Sequence, residues 1–183
     1  LYLHHARGDF PPLPNSQVEH LYDVTNSLMT EHGYDAYEVS SFCKAGEESR
    51  HNLIYWRYHD YAGVGPGAHG RVTHETGEAL ATRVHRAPDI WLERVECDGH
   101  GMHPVATLTP RQRVEEMVMM GLRLHEGVSF ARLESVAGGV MPLDRGRIKT
   151  LVNEGLLHDD PLFLRATPMG RRCLNAVIAW VLK

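Results

Sequence analysis

His51-Asn52-Leu53-Ile54-Tyr55-Trp56, followed six residues later by Gly63-Val64-Gly65-Pro66-Gly67-Ala68-His69-Gly70, is the stretch on which the reading of this chain turns. Four glycines in eight residues exclude a stable helix interior, so the second block is a loop whose backbone turns tightly or approaches something closely. The first block is aromatic-rich and short, with an imidazole and an amide at one end and two aromatic rings at the other.

Upstream, Pro11, Pro12 and Pro14 keep a helix from starting before Asn15 or Ser16, either of which can cap it. Val18, Leu21, Val24, Leu28 and Met29 then recur at helical spacing, and Gly33 is placed to end the helix. Tyr34 to Phe42, with Tyr37, Val39 and Phe42, reads as a strand. Helix, glycine and strand make an αβ unit of the kind that builds barrels and parallel sheets.

Downstream, residues 79–84 read as a strand, 88–97 as a helix, and 98–108 as a linker containing Gly99, Gly101 and Pro104. Thr109-Pro110-Arg111-Gln112 predicts a capped helix start with a capping box, the helix reaching Leu124. Its stripe Val114, Met117, Val118, Gly121 and Leu122 belongs to a core. A short helix follows from Ser129 and another over 143–154, ending at Gly155. Leu156 to Ala166 reads as a hairpin, and Thr167-Pro168 opens a last helix through Val181. Three helices, a hairpin and a final helix make a winged-helix pattern, with Arg145, Arg147 and Lys149 on its recognition helix.

Composition bounds the function. The 183 residues are 43% hydrophobic and 23% charged, the range of one ordinary domain or two small ones. A net charge of -4 argues against strong attraction to nucleic acid or an anionic membrane. Residues 1–108 carry 8 Lys and Arg against 15 Asp and Glu, whereas residues 109–183 carry 11 against 8, so only the second half is basic. Asp144, Glu154, Asp159 and Asp160 dilute even that half, which makes nucleic acid an unfavoured partner. No run reaches the roughly 18–20 apolar residues of a transmembrane helix, and no signal segment opens the chain, so the expectation is cytoplasmic. Cys43, Cys97 and Cys173 make neither a disulfide framework nor a CxxC site, and the 13 histidines show no HxxxH or HExxH spacing.

Taken jointly, Tyr37-Glu38-Val39-Ser40-Ser41-Phe42, the HNxxYW block and the GxGxGAHG loop resemble the HemW-type radical-SAM proteins, relatives of the oxygen-independent coproporphyrinogen III oxidases. Leu108-Thr109-Pro110, Gly121 to Leu124 and Gly155-Leu156-Leu157 resemble that family's C-terminal domain. The resemblance covers about residues 7–183. It implies an α/β fold: the last αβ unit of a partial TIM-like radical-SAM barrel over 1–75, a connecting strand, helix and linker over 76–108, and a mainly α, winged-helix-like domain over 109–183. It implies heme as cargo, heme-requiring respiratory proteins as acceptors, and a peripheral contact with the membrane. Two alternatives stand beside it: the coproporphyrinogen oxidase itself, and a winged-helix module that binds nucleic acid or protein.

The family also holds S-adenosylmethionine and a four-iron four-sulfur cluster through CxxxCxxC, a motif this sequence lacks. No catalytic residue is therefore assigned, and a cluster is not expected on this chain. The resemblance places Gly63, Gly65, Gly67, Ala68 and His69 beside S-adenosylmethionine in the intact protein; the plainer reading is a structural turn. His51, Asn52, Tyr55 and Trp56 are candidates for a heme- or porphyrin-facing patch, since imidazole ligates iron and aromatic rings stack on macrocycles, with core aromatics as the alternative. His4, His5, His100 and His103 are expected in loops, solvated. Glu38 is expected on a strand, facing solvent or a barrel interior, and Cys43 is a heme thiolate or a small buried hydrophobe.

Overall fold

The structure, a computed structural model, describes residues 7–8 and 11–183. Two compact units divide the chain, the first running to Glu48 and the second spanning Ser49–Lys183.

In the first unit, helix α1 (Asn15–Glu31) starts immediately after Pro14, and Gly33 at φ 78° turns the chain out of it. Neither Asn15 nor Ser16 caps it: Pro14 is the residue at the cap, and no side chain bonds the free amides. The apolar stripe forms as its spacing predicts, yet α1 buries none of its residues within the unit, and Leu21 and Leu28 are each 50% exposed. The expected strand over 34–42 is instead two short strands, β1 (Asp35–Ala36) and β2 (Phe42–Cys43), paired antiparallel. The chain reverses because the Glu38 carboxylate accepts from both the amide (2.8 Å) and the hydroxyl (2.9 Å) of Ser40. The Tyr37 amide then reaches the Ser41 carbonyl. Glu38 is thus buried at a single bridge position between the two short strands and does not face solvent.

The second unit begins with helix α2 (Arg50–Trp56), capped by the Ser49 hydroxyl, so the HNxxYW block is helical throughout. A three-stranded antiparallel sheet follows in the order β3 (His69–Thr73), β4 (Ala79–Arg83), β5 (Ala106–Thr107), with α3 (Pro88–Asp98) inserted between β4 and β5. Two expectations change here. The glycine block runs into β3 through His69 and Gly70, and the segment 98–108 contributes a sheet edge as well as a connection. His103 is therefore not a free loop residue: its amide donates to the Arg83 carbonyl at 2.8 Å.

Beyond the sheet, α4 (Pro110–Gly121) has the full Thr109–Gln112 capping box, and Val118 and Leu122 are fully buried. Then come β6 (Val128–Ser129), α5 (Phe130–Val136), α6 (Arg145–Asn153), β7 (Phe163–Leu164), α7 (Pro168–Arg172) and α8 (Leu174–Val181). Over 156–166 the hairpin is slight, one bridge between Leu157 and Ala166, because β7 pairs with β6. The last helix is broken at Cys173, whose ψ of 34° leaves the helical region. The core is built here, from Val114, Met117, Leu124, Leu133, Leu151, Leu164 and Val177.

Tight backbone approach explains Gly63: a Cβ there would lie 2.3 Å from the His69 carbonyl oxygen. Gly63→Ala should therefore lower unfolding stability by about 1–3 kcal/mol in a urea titration, because the obstacle is main chain and cannot rotate away.

Candidate functional site

Helical spacing splits the HNxxYW block into two pairs at i and i+4, His51 with Tyr55 and Asn52 with Trp56. His51 is exposed, and its ring meets Tyr55 edge-on with centroids 4.8 Å apart. Tyr55 in turn meets Tyr61 edge-on at 4.5 Å. Tyr61 and Arg71 exchange both backbone hydrogen bonds, at 2.7 and 2.9 Å. The imidazole therefore stands at the open end of an aromatic row anchored on β3. Trp56 lies under the Arg123 guanidinium, 4.5 Å from its ring centroid, and its indole nitrogen is buried without an acceptor among the described residues.

The glycine loop is held to the same frame. Gly65 and Gly67 adopt φ of 92° and 74°, and a Cβ on Gly70 would crowd the Tyr61 carbonyl and the Thr82 hydroxyl. The Gly67 amide donates to the His85 carbonyl, and the Ala68 carbonyl accepts from Val84. The two sequence blocks are thus joined through Tyr61, which stacks on one and pairs beside the other. Backbone and side-chain crowding thus accounts for Gly63 and Gly70, and positive φ for Gly65 and Gly67.

Sequence reasoning missed the charged anchor beneath this frame. Glu116 of α4 receives Arg71 through Nε (2.9 Å) and Nη2 (2.6 Å) and the Tyr58 hydroxyl at 2.8 Å. Tyr58 sits at φ 53°, a conformation that side chains rarely adopt. Arg132 holds it there by donating to the carbonyls of Arg57 and Tyr58, while Arg57 pairs with Glu126 at 2.7 Å. Burial and the bond to Glu116 push the Tyr58 hydroxyl well above the ordinary tyrosine range. Burial works against ionisation of Glu116, but the hydrogen bonds from Arg71 and Tyr58 outweigh it and hold the carboxyl below its ordinary value. No local signal flags these residues, because they are 45 and 58 positions apart in sequence.

The other candidates fall as follows. His100 is exposed, and His4 and His5 lie outside the described residues. Cys43 is half-buried in β2, where burial and then Glu48, Glu47 and Asp35 push its thiol up, against the thiolate form a ligand needs. Among the described residues no group of three His, Cys, Asp or Glu side chains is placed to hold a metal ion.

Residues 108–173 match the HemN C-terminal domain family. The chain is 37% identical over 151 residues to the radical S-adenosyl methionine domain-containing protein 1, mitochondrial, of Danio rerio, covering 74% of this chain and 34% of the relative. It is 31% identical over 168 residues to the heme chaperone HemW of Bacillus subtilis, covering 90% of this chain and 42% of that protein. This chain belongs to the HemW-type radical SAM family. It spans well under half the length of these HemW-type relatives. The fold is also that of the Escherichia coli coproporphyrinogen III oxidase HemN, a radical SAM enzyme, with a TM-score of 0.68 and 16% identity over 93% of this chain and 42% of HemN.

The anchor makes stability pH-dependent. Since the folded pKa of Glu116 lies below the unfolded one, its contribution is complete above the ordinary value of 4.5 and is lost as pH falls through the folded value. Urea unfolding between pH 6 and pH 3 should show that decline, and Glu116→Gln should flatten it while costing about 1–3 kcal/mol at pH 6.

Proposed function

We propose that this chain supplies the heme-receiving surface of a HemW-type heme chaperone, with the His51 imidazole as the group that would ligate the heme iron. The observation that carries the reading is the exposed imidazole of His51 at the end of the row His51–Tyr55–Tyr61, on a helix whose Trp56 is packed under Arg123. A ligand to a transferable heme needs this combination: one reachable nitrogen on a frame that does not rearrange when cargo leaves. Tyr55 and Trp56 serve as that frame, and Asn52 lies on the packed pair with Trp56. Relatives bearing the name heme chaperone HemW support the cargo. The acceptors are heme-requiring respiratory proteins reached from the cytoplasm through a peripheral membrane contact; among the described residues no helix is long and apolar enough to cross a membrane.

In this reading residues 1–75 close a radical-SAM barrel, residues 76–108 connect, and residues 109–183 form a winged-helix-like docking domain. The cluster and S-adenosylmethionine belong with the remaining length of the relatives, where Gly63, Gly65, Gly67, Ala68 and His69 border the cofactor side. A protein-docking role for the last domain is favoured over nucleic acid by its arginines. Arg145 is 4.3 Å from the Phe130 ring centroid and near Glu134, and Arg147 reaches Asp144 and the Trp180 carbonyl, so both already have partners within the domain.

Heme titrated into the purified chain should give a saturable Soret shift that His51→Ala weakens by about tenfold or more. An absent shift in the unmodified chain, or an identical one in the variant, would remove His51 from this role.

A further inference from the structure

A second site stands on the β3–β4 sheet. Register places His69 directly opposite Arg83, and the bridge between Val84 and Met102 places His103 opposite Arg83 on the other side. Cross-strand partners share a face, so His69, Arg83 and His103 form one row across three segments. His85, two residues beyond Arg83, belongs to the same face. Its own cross-strand neighbours, which its backbone bonds at 3.0 and 2.9 Å, are Gly67 and Gly101, neither of which brings a side chain to the row. The rings of His85 and His103 lie 5.4 Å apart, and Arg86 joins them around a cavity of about 460 Å³.

Charge separates this cavity from an ordinary solvated surface. Residues 1–108 are acidic in balance, with 8 basic side chains against 15 acidic ones. Even so, Arg83 and Arg86 line the cavity, Arg94 is close enough to act on His103, and no carboxylate lines it. Neither Arg83 nor Arg86 pairs with a carboxylate among the described residues. The members repel one another: desolvation first, then Arg83, Arg94 and His85, hold the His103 imidazole below its ordinary value. Arg83 and Arg86 are exposed, and a gathering of like charges without internal compensation attracts an external anion. A single carboxylate would leave one of the two guanidinium charges lining the cavity unmet.

We propose that this cavity is an oxyanion site that takes a small ligand with two or more negative charges, held by Arg83 and Arg86 and by the imidazoles of His85 and His103. Guanidinium groups give paired N–H donors to such oxygens, and protonated imidazoles add charge-assisted bonds. The site is independent of the heme reading, since His51 takes no part in it. Phosphoanhydrides and polycarboxylates share the required chemistry.

The test is a ¹⁵N-detected histidine side-chain titration of the whole chain near pH 6.5, with inorganic pyrophosphate in one arm and citrate in another. Saturable shifts of His85 and His103 in either arm, with the His103 midpoint moving upward, are expected, and the arm that saturates names the oxyanion type. Arg83→Ala should weaken binding by about tenfold and Arg111→Ala should leave it unchanged. His103→Gln, a second variant that keeps both arginines, should lower affinity less. Linear, unsaturable shifts in both arms, or equal binding by Arg83→Ala with its amide spectrum intact, would overturn the site. Stronger competition by a single-stranded oligonucleotide than by pyrophosphate would overturn the small-ligand assignment.

Discussion

A half-buried carboxylate with three donors organises the second unit of this protein. Glu116 belongs to the helix that opens the C-terminal part, whereas Arg71 belongs to β3 and Tyr58 to the turn that leaves the HNxxYW helix. A carboxylate removed from water is costly unless its lone pairs are met, and here they are met from two other elements. Beside them Arg132 bonds the Arg57 and Tyr58 carbonyls and holds Tyr58 at positive φ, where the chain leaves α2. Without the anchor, the short α2 and the five-residue β3 would have little apolar burial of their own to keep them in register with α4.

On that base the candidate surfaces are arranged by backbone geometry. Tyr61 pairs with Arg71 and stacks on Tyr55, so the strand that receives the carboxylate also fixes the row ending in His51. The glycine loop closes onto the same strand because Gly63 and Gly70 leave no room for a side chain. The result separates two surfaces of different character, one imidazole beside aromatic rings and one basic cavity on the sheet. The first suits a flat, iron-bearing macrocycle, and the second a compact anion.

Much of this was legible before the fold was known, wherever the deciding forces are local. The capping box at Thr109, the proline after it, and Gly33 and Gly155 all act within one helical turn, and the structure has each where the spacing puts it. The apolar stripe of α4 is buried as its period requires. The errors share a cause. Residues 34–42 carry the strand formers Tyr37, Val39 and Phe42, but the side chain of Glu38 bonds Ser40 and bends the chain, a choice that propensity does not register. The segment 98–108 has linker composition, yet the sheet edge captures it because β4 offers unpaired backbone groups. The anchor itself joins ordinary Arg, Tyr and Glu residues whose meaning lies wholly in tertiary approach. His103 showed the same limit, since only the register of β4 reveals that it stands beside Arg83.

The central claim is that Arg71 and Glu116 act as one unit binding the HNxxYW frame to the C-terminal helices. A double-mutant cycle with Arg71→Met, Glu116→Gln and the pair, read by urea unfolding at pH 7, measures it directly. A coupling free energy of about 1–3 kcal/mol is predicted. Additive losses, with coupling below about 0.5 kcal/mol, would contradict it.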